Sequence, residues 1–323
     1  MKIQQTPATM LLTGATSGLG LEVARRMAGS TLWTVLATAR SEEKIEQLKN
    51  ALDRPSNFRY AICDQADFSS IRRAGADIAG LIADGAVPTM SSVLLNAGIQ
   101  TSSTDRETTD GVELTFATNV AGPHLLLGLM SRHLGASAQI VQIGSGTHYG
   151  QFRRSYGMVA KPKWTSPKEL SSPRHGDGIE AYSTSKLGTL YVTHELVRRA
   201  PLSVTPMCYD PGMLPGTGLA RDRSAVERFV WRRLLPGMRL LPGVSSPAHS
   251  ASHLARFATK TSQYPEDRLR GSYVEIDRPV PSSPESYDKE REKSLFEFLN
   301  DLTGLNAELT APWWFSEPAQ ARP

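Results

Sequence analysis

The sequence predicts an α/β protein, a doubly wound parallel sheet of about seven strands with helices on both faces. Three observations carry that expectation. Short apolar, β-branched runs alternate along the chain with longer segments of helical periodicity. The strand runs are continuously apolar, as strands covered on both faces must be. A glycine-rich stretch, "LLTGATSGLG" at 11–20, stands at the first strand–helix junction.

The elements follow in order. "TMLLTG" (9–14) reads as the first strand and 18–29 as the first helix; "WTVLATA" (33–39) leads to a helix over 41–52. "FRYAIC" (58–63) precedes a helix over 67–84, and "SSVLLN" (91–96) one over 110–133. "AQIVQIG" (138–144) is the fifth strand, 180–200 the next long helix, and "LSVTPMCYD" (202–210) the sixth strand. A helix over 247–259 and the strand "GSYVEI" (271–276) complete the sheet. The tail 285–305 has the pattern of a final amphipathic helix, with "APWWF" (311–315) behind it. Right-handed crossovers then place helices on both faces.

Two stretches break this rhythm. Residues 146–179 are rich in Gly, Pro, Ser and aromatics, and 211–246 are proline-punctuated loops around a short helix. Both leave the C-terminal ends of strands, where open α/β sheets bind ligands, and long loops there commonly act as lids. The expectation is one domain over 1–323, with a loop insertion at 146–179 and a substrate lid at 211–246.

Composition narrows the function classes. A 323-residue chain with 40% hydrophobic and 21% charged residues is an ordinary globular composition. The net charge of +4 comes from arginines spread along the chain, without the dense basic block that nucleic-acid binding favours. Cys63 and Cys208 sit far apart in apolar runs, as buried reduced thiols do, and no His, Cys, Asp or Glu cluster has metal-ligand spacing. No signal-peptide pattern opens the chain, and no apolar run reaches the roughly 18 residues of a membrane span. A reducing cytoplasm is therefore expected.

Gly14, Gly18 and Gly20 follow the spacing G-x-x-x-G-x-G directly after the first strand. Glycine permits a tight turn and close backbone approach, and the helix behind it turns its N-terminus toward a pyrophosphate. A plain strand–helix turn would look similar in isolation. The second strand ends in Ala39 and Arg40, where a cofactor with a free ribose 2′-hydroxyl usually meets an acidic residue. A guanidinium there suits a 2′-phosphate, so NADP(H) is preferred over NAD(H), unless Arg40 is simply a solvated surface arginine.

At this point the sequence resembles the short-chain dehydrogenase/reductase family, over most of the chain and in order. "TGATSGLG" is similar to its cofactor loop, which implies contacts from Gly14, Thr16, Ser17, Gly18, Leu19 and Gly20. "CDQAD" (63–67) resembles the adenine-contacting turn, with Asp64 and Gln65, and "NAG" resembles the motif after the fourth strand, with Asn96, Ala97 and Gly98. "DPG" (210–212) resembles the nicotinamide-side loop, implying Pro211, Gly212, Met213 and, further on, Thr217. Asn119 in "ATNVAGP", Ser145 after the fifth strand, and Tyr182 and Lys186 in "YSTSK" resemble the family's catalytic set. The long excursion, "SGTH" (145–148) and "PGTGLAR" (215–221) are more loosely similar to the branch of protochlorophyllide oxidoreductase and retinol-dehydrogenase-like enzymes. The resemblance implies a Rossmann-type fold and a nicotinamide cofactor. Relatives commonly pair through the helices containing Asn119 and Tyr182, which leaves a homodimer open, although the long excursion is placed to block such faces.

Physical chemistry supports the catalytic assignment. Tyr182 and Lys186 are four residues apart and share one helix face. A positive charge beside the phenol is expected to lower its pKa toward working pH, so that Tyr182 exchanges a proton with a carbonyl or alcohol. Ser145 would hydrogen-bond the same oxygen. By family analogy Lys186 and Tyr182 also hold the nicotinamide ribose, and Asn119 anchors a water in a relay to Lys186. His148 either touches substrate or is an ordinary satisfied loop histidine. Family members often carry two serines after the fifth strand; here Gly144 precedes Ser145, a change expected to bear on pocket shape.

The functional expectation is an NADP(H)-dependent oxidoreductase acting on a carbonyl or alcohol of a lipophilic small molecule. "Lipophilic" rests on Tyr149, Phe152, Tyr156, Met158, Trp164, Met213, Leu214, Phe229 and Trp231 in the two excursions, which could equally pack the loops onto the body. Reduction of a conjugated C=C bond, or a catalytically silent NADP(H)-binding sensor, are the alternatives. "VERFVWRRLLPGMRLL" (226–241) reads as a substrate lid or, less economically, an interfacial helix.

Overall fold

The computed structural model describes residues 8–151, 160–214 and 243–316. Thr217, the central part of the 211–246 lid, and Phe152, Tyr156, Met158, Phe229 and Trp231 lie outside the described residues. Among those described, no helix is long and apolar enough to cross a membrane.

An eight-stranded sheet forms the centre, in the order β3-β2-β1-β4-β5-β6-β7-β8. Its strands are β1 (Ala8–Leu12), β2 (Trp33–Ala39), β3 (Phe58–Ile62), β4 (Met90–Leu95), β5 (Leu134–Ile143), β6 (Thr205–Asp210), β7 (Tyr273–Glu275) and β8 (Arg278–Val280). The first seven pair in parallel; β8 turns back antiparallel on β7. The strand order reverses between β1 and β4, which opens a crevice at their C-terminal ends.

Burial on both faces explains the continuous apolar runs. Along β1, Leu11 joins one core cluster with Ile71, Leu187 and Phe296, while Met10 and Leu12 join the other with Val23, Leu254 and Phe257. Each such side chain, removed from water, contributes roughly 1.5–3 kcal/mol.

The helices are α1 (Gly18–Met27), α2 (Glu42–Ala51), α3 (Phe68–Ala83), α4 (Leu114–Phe116), α5 (Gly122–Met130), α6 (Pro167–Ser171), α7 (Gly178–Arg199), α8 (Pro247–Ala258), α9 (Glu266–Leu269) and α10 (Lys289–Thr303). Local chemistry sets their starts. Ser41, Asp67, Asp177, Ser246 and Asp288 each accept a hydrogen bond from a first-turn backbone N–H.

Two expectations need correction, and the sheet gains one short strand. The helix expected over 110–133 starts at Leu114 and is broken by a π turn at Ala117–Ala121. Glu113 caps it, and Pro123, having no N–H, gives the Asn119 carbonyl no ordinary helical donor. The sixth strand begins at Thr205 rather than 202, since Leu202 is 88% exposed on the preceding turn. The antiparallel β8 adds a strand to the expected seven; its short "RPV" carries too little pattern to read as one.

Candidate active site

The crevice is laced together from both sides of the strand-order reversal. Thr13 Oγ1 accepts from the backbone N–H groups of Asn96 and Ala97, at 2.9 and 3.0 Å. Asn96 Nδ2 donates back to the carbonyls of Thr13 and Gly14, at 3.0 and 3.2 Å. Gly14 has φ +66°, and a Cβ there would stand 2.8 Å from Ala97 Cα; one on Gly20 would stand 2.3 Å from the Gly14 carbonyl oxygen. Only glycine fits either place. The turn so formed leads into α1, whose N-cap Ser17 makes no side-chain capping bond and whose first turn holds no acid. The positive end of that helix carries no acidic side chain in its first turn, which suits an anionic phosphate. Thr16 is half-buried, Ser17 exposed and Leu19 buried beneath them. The cradle fits a dinucleotide.

Arg40 lies exposed at the end of β2, with no hydrogen bond or ion pair to the described residues. Asp64 closes the turn after β3: its Oδ1 accepts from Ala66 N–H at 3.0 Å. Gln65 is buried, and neither end of its amide finds a partner among the described residues.

At the other end of the crevice the four catalytic candidates converge. Asn119, on the π turn, accepts from Ile99 N–H at 2.8 Å, and donates to Ile99 O at 2.9 Å and Ser185 Oγ at 3.0 Å. Ser185 donates onward to the Tyr182 carbonyl at 2.7 Å. A Cβ on Gly98 would meet Asn119 Oδ1 at 3.2 Å and Lys186 Nζ at 3.7 Å, so these groups crowd one corner. Lys186 donates to the Ile143 carbonyl at 2.7 Å and stands 5.6 Å from the centre of the Tyr182 ring. The Ser145 hydroxyl is the neighbour that lowers the Tyr182 phenol.

The electrostatics differ from the expectation. Burial pushes the Tyr182 phenol up to about 12, and the buried Asp210 carboxylate adds to the rise; only the Ser145 hydrogen bond opposes them. Burial also lowers the Lys186 ammonium to about 8, against the raising fields of Cys208 and Asp210. The ammonium is bonded to the Ile143 carbonyl, and burial outweighs the lowering of the phenol that the Tyr182–Lys186 spacing suggested. Chemically, the site holds a neutral phenol that can give a proton, beside a serine hydroxyl that can share the same acceptor.

Pro211, Gly212 and Met213 are fixed in place. Gly212 N–H donates to Asp210 Oδ1 at 2.9 Å, Ser250 Oγ to Pro211 O at 2.6 Å, and Met213 N–H to Gly243 O at 2.8 Å. His148 proves a satisfied loop histidine, 1% exposed, bonded to the Ser145 carbonyl and to Ser283 N–H. Gly144 does not shape the pocket: a Cβ there would stand 2.5 Å from Cys208 Sγ, so that position faces the β6 packing. Trp164 packs edge-on against Tyr191 at 4.6 Å, and Tyr149 bonds the Pro281 carbonyl; both fasten loops to the body. Leu214 is buried in the core. Cys63 and Cys208 are free and buried.

Sequence reasoning missed the buried Asp210 carboxylate and the Ser185 bridge. Both lie inside quoted motifs, "DPG" and "YSTSK", but only the fold shows which way they point.

Comparison with known proteins follows this geometry. The family profile described as short chain dehydrogenase matches residues 8–157. The chain is 25% identical to a protochlorophyllide reductase of Marchantia paleacea over 342 residues, covering 93% of this chain and 69% of that protein. It is 27% identical to a polyprenol dehydrogenase of Danio rerio over 315 residues, covering 94% and 88%. A crystal structure of an uncharacterized protein from Mycobacterium paratuberculosis superposes with a TM-score of 0.63 at 25% identity, covering 93% and 96%.

Proposed function

We propose that this chain, a member of the short-chain dehydrogenase/reductase family of oxidoreductases, is an NADP(H)-dependent reductase of a carbonyl group on a lipophilic small molecule, able to run in the alcohol-oxidising direction. The observation that carries this reading is the meeting of Ser145, Tyr182 and Lys186 at one end of a crevice whose other end carries the glycine cradle. Arg40, exposed at the end of β2 and without a partner among the described residues, is the group we assign to the 2′-phosphate. We assign Gly14, Thr16, Ser17, Gly18, Leu19 and Gly20 to the pyrophosphate, Asp64 and Gln65 to the adenine, and Asn96, Ala97, Gly98, Pro211, Gly212 and Met213 to the nicotinamide half. Thr217 completes this set as an assignment from the motif alone.

When bound, the nicotinamide supplies or accepts the hydride. The protein's part is position and the proton. Tyr182 donates its phenolic proton to the carbonyl oxygen as that oxygen gains charge, and Ser145 hydrogen-bonds the same oxygen. Lys186 holds the cofactor ribose and brings a positive charge to the developing phenolate, which exists only during turnover. Asn119 fixes the π turn at the inner end of the relay.

The lipophilic substrate class draws support from two relatives, whose names specify protochlorophyllide and polyprenol, both large apolar molecules. The first of these favours a second reading, reduction of a conjugated C=C bond. NADPH consumption on paired ketones and α,β-unsaturated ketones, with products read by mass and NMR, separates the two. Saturated alcohols from simple ketones support carbonyl reduction, saturated ketones from the enones support the second reading, and cofactor binding without product points to a silent sensor. One domain over 1–323 with the 146–179 insertion and the 211–246 lid, and a reducing compartment such as the cytoplasm for the two free thiols, complete the reading.

A further inference from the structure

The peptide unit between Ser145 and Gly146 is held at its carbonyl end and flanked by a carboxylate on its amide side. Its carbonyl oxygen accepts from His148 Nδ1 at 2.6 Å. On its amide side the Asp210 carboxylate lies against Gly146. Neither partner is adventitious. His148 Nε2 accepts from Ser283 N–H at 3.1 Å, so that nitrogen carries no proton and Nδ1 is the donor. Asp210 accepts further from Tyr273 OH at 2.5 Å and from Gly212 N–H at 2.9 Å. Tyr273 braces both sides, since its ring also packs edge-on against His148 at 4.7 Å.

Residue 146 suits this arrangement: a Cβ there would stand 3.3 Å from Asp210 Oδ2, so a side chain would push the carboxylate off the peptide. Burial raises the Asp210 carboxyl, while Tyr273 and the N–H groups of Gly212 and Gly146 hold it down. A carboxylate kept out of water at that cost is poor packing material, because an apolar side chain would avoid the desolvation. Its donors instead come from the loop after β6 and from β7, and it lies against the loop after β5 at Gly146.

We propose that His148 and Asp210 are positioning residues that fix the Ser145–Gly146 peptide plane and so aim the Ser145 hydroxyl at Tyr182. The proposal rests on the catalytic reading of Ser145 given above. Fixing the plane fixes the backbone torsion that carries the Ser145 side chain, leaving the hydroxyl only its staggered side-chain wells. Misplacing a reacting group by about 1 Å costs on the order of 10²-fold in rate.

The test uses the full chain with NADPH and the ketone of the panel that the wild type reduces fastest. His148→Asn keeps a donor near the Nδ1 position, whereas His148→Gln moves the amide toward the Nε2 position. The expected result is a loss in kcat of roughly 10- to 100-fold for His148→Gln and within about threefold for His148→Asn, with KM for NADPH unchanged in both. In a Ser145→Ala background, His148→Gln has no further effect beyond about twofold, because its route to the chemistry is gone. Multiplying losses in the double variant overturn the positioning role while leaving Ser145 catalytic. A Ser145→Ala enzyme with wild-type kcat overturns both readings. A substrate-independent arm is amide hydrogen exchange in cofactor-free protein. The Gly146 amide is slow in the wild type and faster by at least about tenfold in His148→Gln and Asp210→Leu at unchanged denaturant midpoint. Wild-type exchange at Gly146 in both variants overturns the clamp whatever the kinetics.

Discussion

Lys186 donates its ammonium proton to the Ile143 carbonyl at 2.7 Å while standing 5.6 Å from the centre of the Tyr182 ring. The lysine is thus anchored to the end of β5, and the phenol beside it keeps its proton. Two consequences follow for pH. The phenol, at about 12, is protonated throughout the neutral range and ready to donate. The ammonium, lowered by burial from 10.5 to about 8, is the first of the pair to lose its charge as pH rises. Reductive kcat/KM in the free enzyme is therefore expected to hold through neutrality and fall above a pH of about 8, where Lys186 becomes neutral. Alcohol oxidation, which needs the phenolate, rises with pH instead. Steady-state profiles in both directions check this; a reductive limb still level well above that pH contradicts the role given to the lysine charge.

Arg40→Ala is expected to weaken NADPH binding by roughly 10- to 100-fold and leave NADH binding within about twofold. The loss corresponds to one charge-assisted contact with a 2′-phosphate. Titration calorimetry with both cofactors measures it. Equal weakening for both would remove the 2′-phosphate from the reading of Arg40.

His124 is a probe of acid stability far from the crevice. Its ring lies among Phe296 and Trp314, and Nε2 donates to Asn300 Oδ1 at 2.8 Å. Burial lowers its pKa from 6.5 to about 4. The unfolded chain therefore binds a proton that the fold resists, so stability is full above about pH 6.5 and falls toward pH 4, by about 3 kcal/mol in total. Urea unfolding at several pH values should show that loss in the wild type and a shallower one in His124→Gln. Parallel curves for the two proteins contradict it.

One flank of α7 is covered by the 146–179 excursion and by α10. Lys163 N–H donates to Thr184 Oγ1 at 2.9 Å, Trp164 packs on Tyr191, and α10 is joined to α7 through His194–Glu292 at 2.8 Å and Arg198–Glu292 at 2.5 Å. Light scattering is expected to return the mass of one chain, and a stable dimer would show that pairing uses another face.

Strand identity was readable because burial on both faces leaves a continuous apolar signal, as in "TMLLTG", whereas the helix expected over 180–200 in fact starts at Gly178 behind the Asp177 cap. That Tyr182 and Lys186 lie together was readable because they are local to one helix. The π turn under Asn119 was not, since its cause is a missing N–H at Pro123 inside an otherwise helical pattern. The raised phenol was not, since it comes first from burial, which only the assembled fold creates, and then from Asp210, remote in sequence. Gly144 was misread for the same reason: its neighbour is Cys208, on the next strand.

The most direct measurement is NADPH consumption on the ketone panel by wild type and Tyr182→Phe, with cofactor affinity measured on both. The phenylalanine keeps the ring and loses only the proton donor. The expected result is a fall in kcat of about 10²- to 10⁴-fold with NADPH affinity within about threefold. Unchanged kcat in Tyr182→Phe would contradict the assignment of the proton to this phenol.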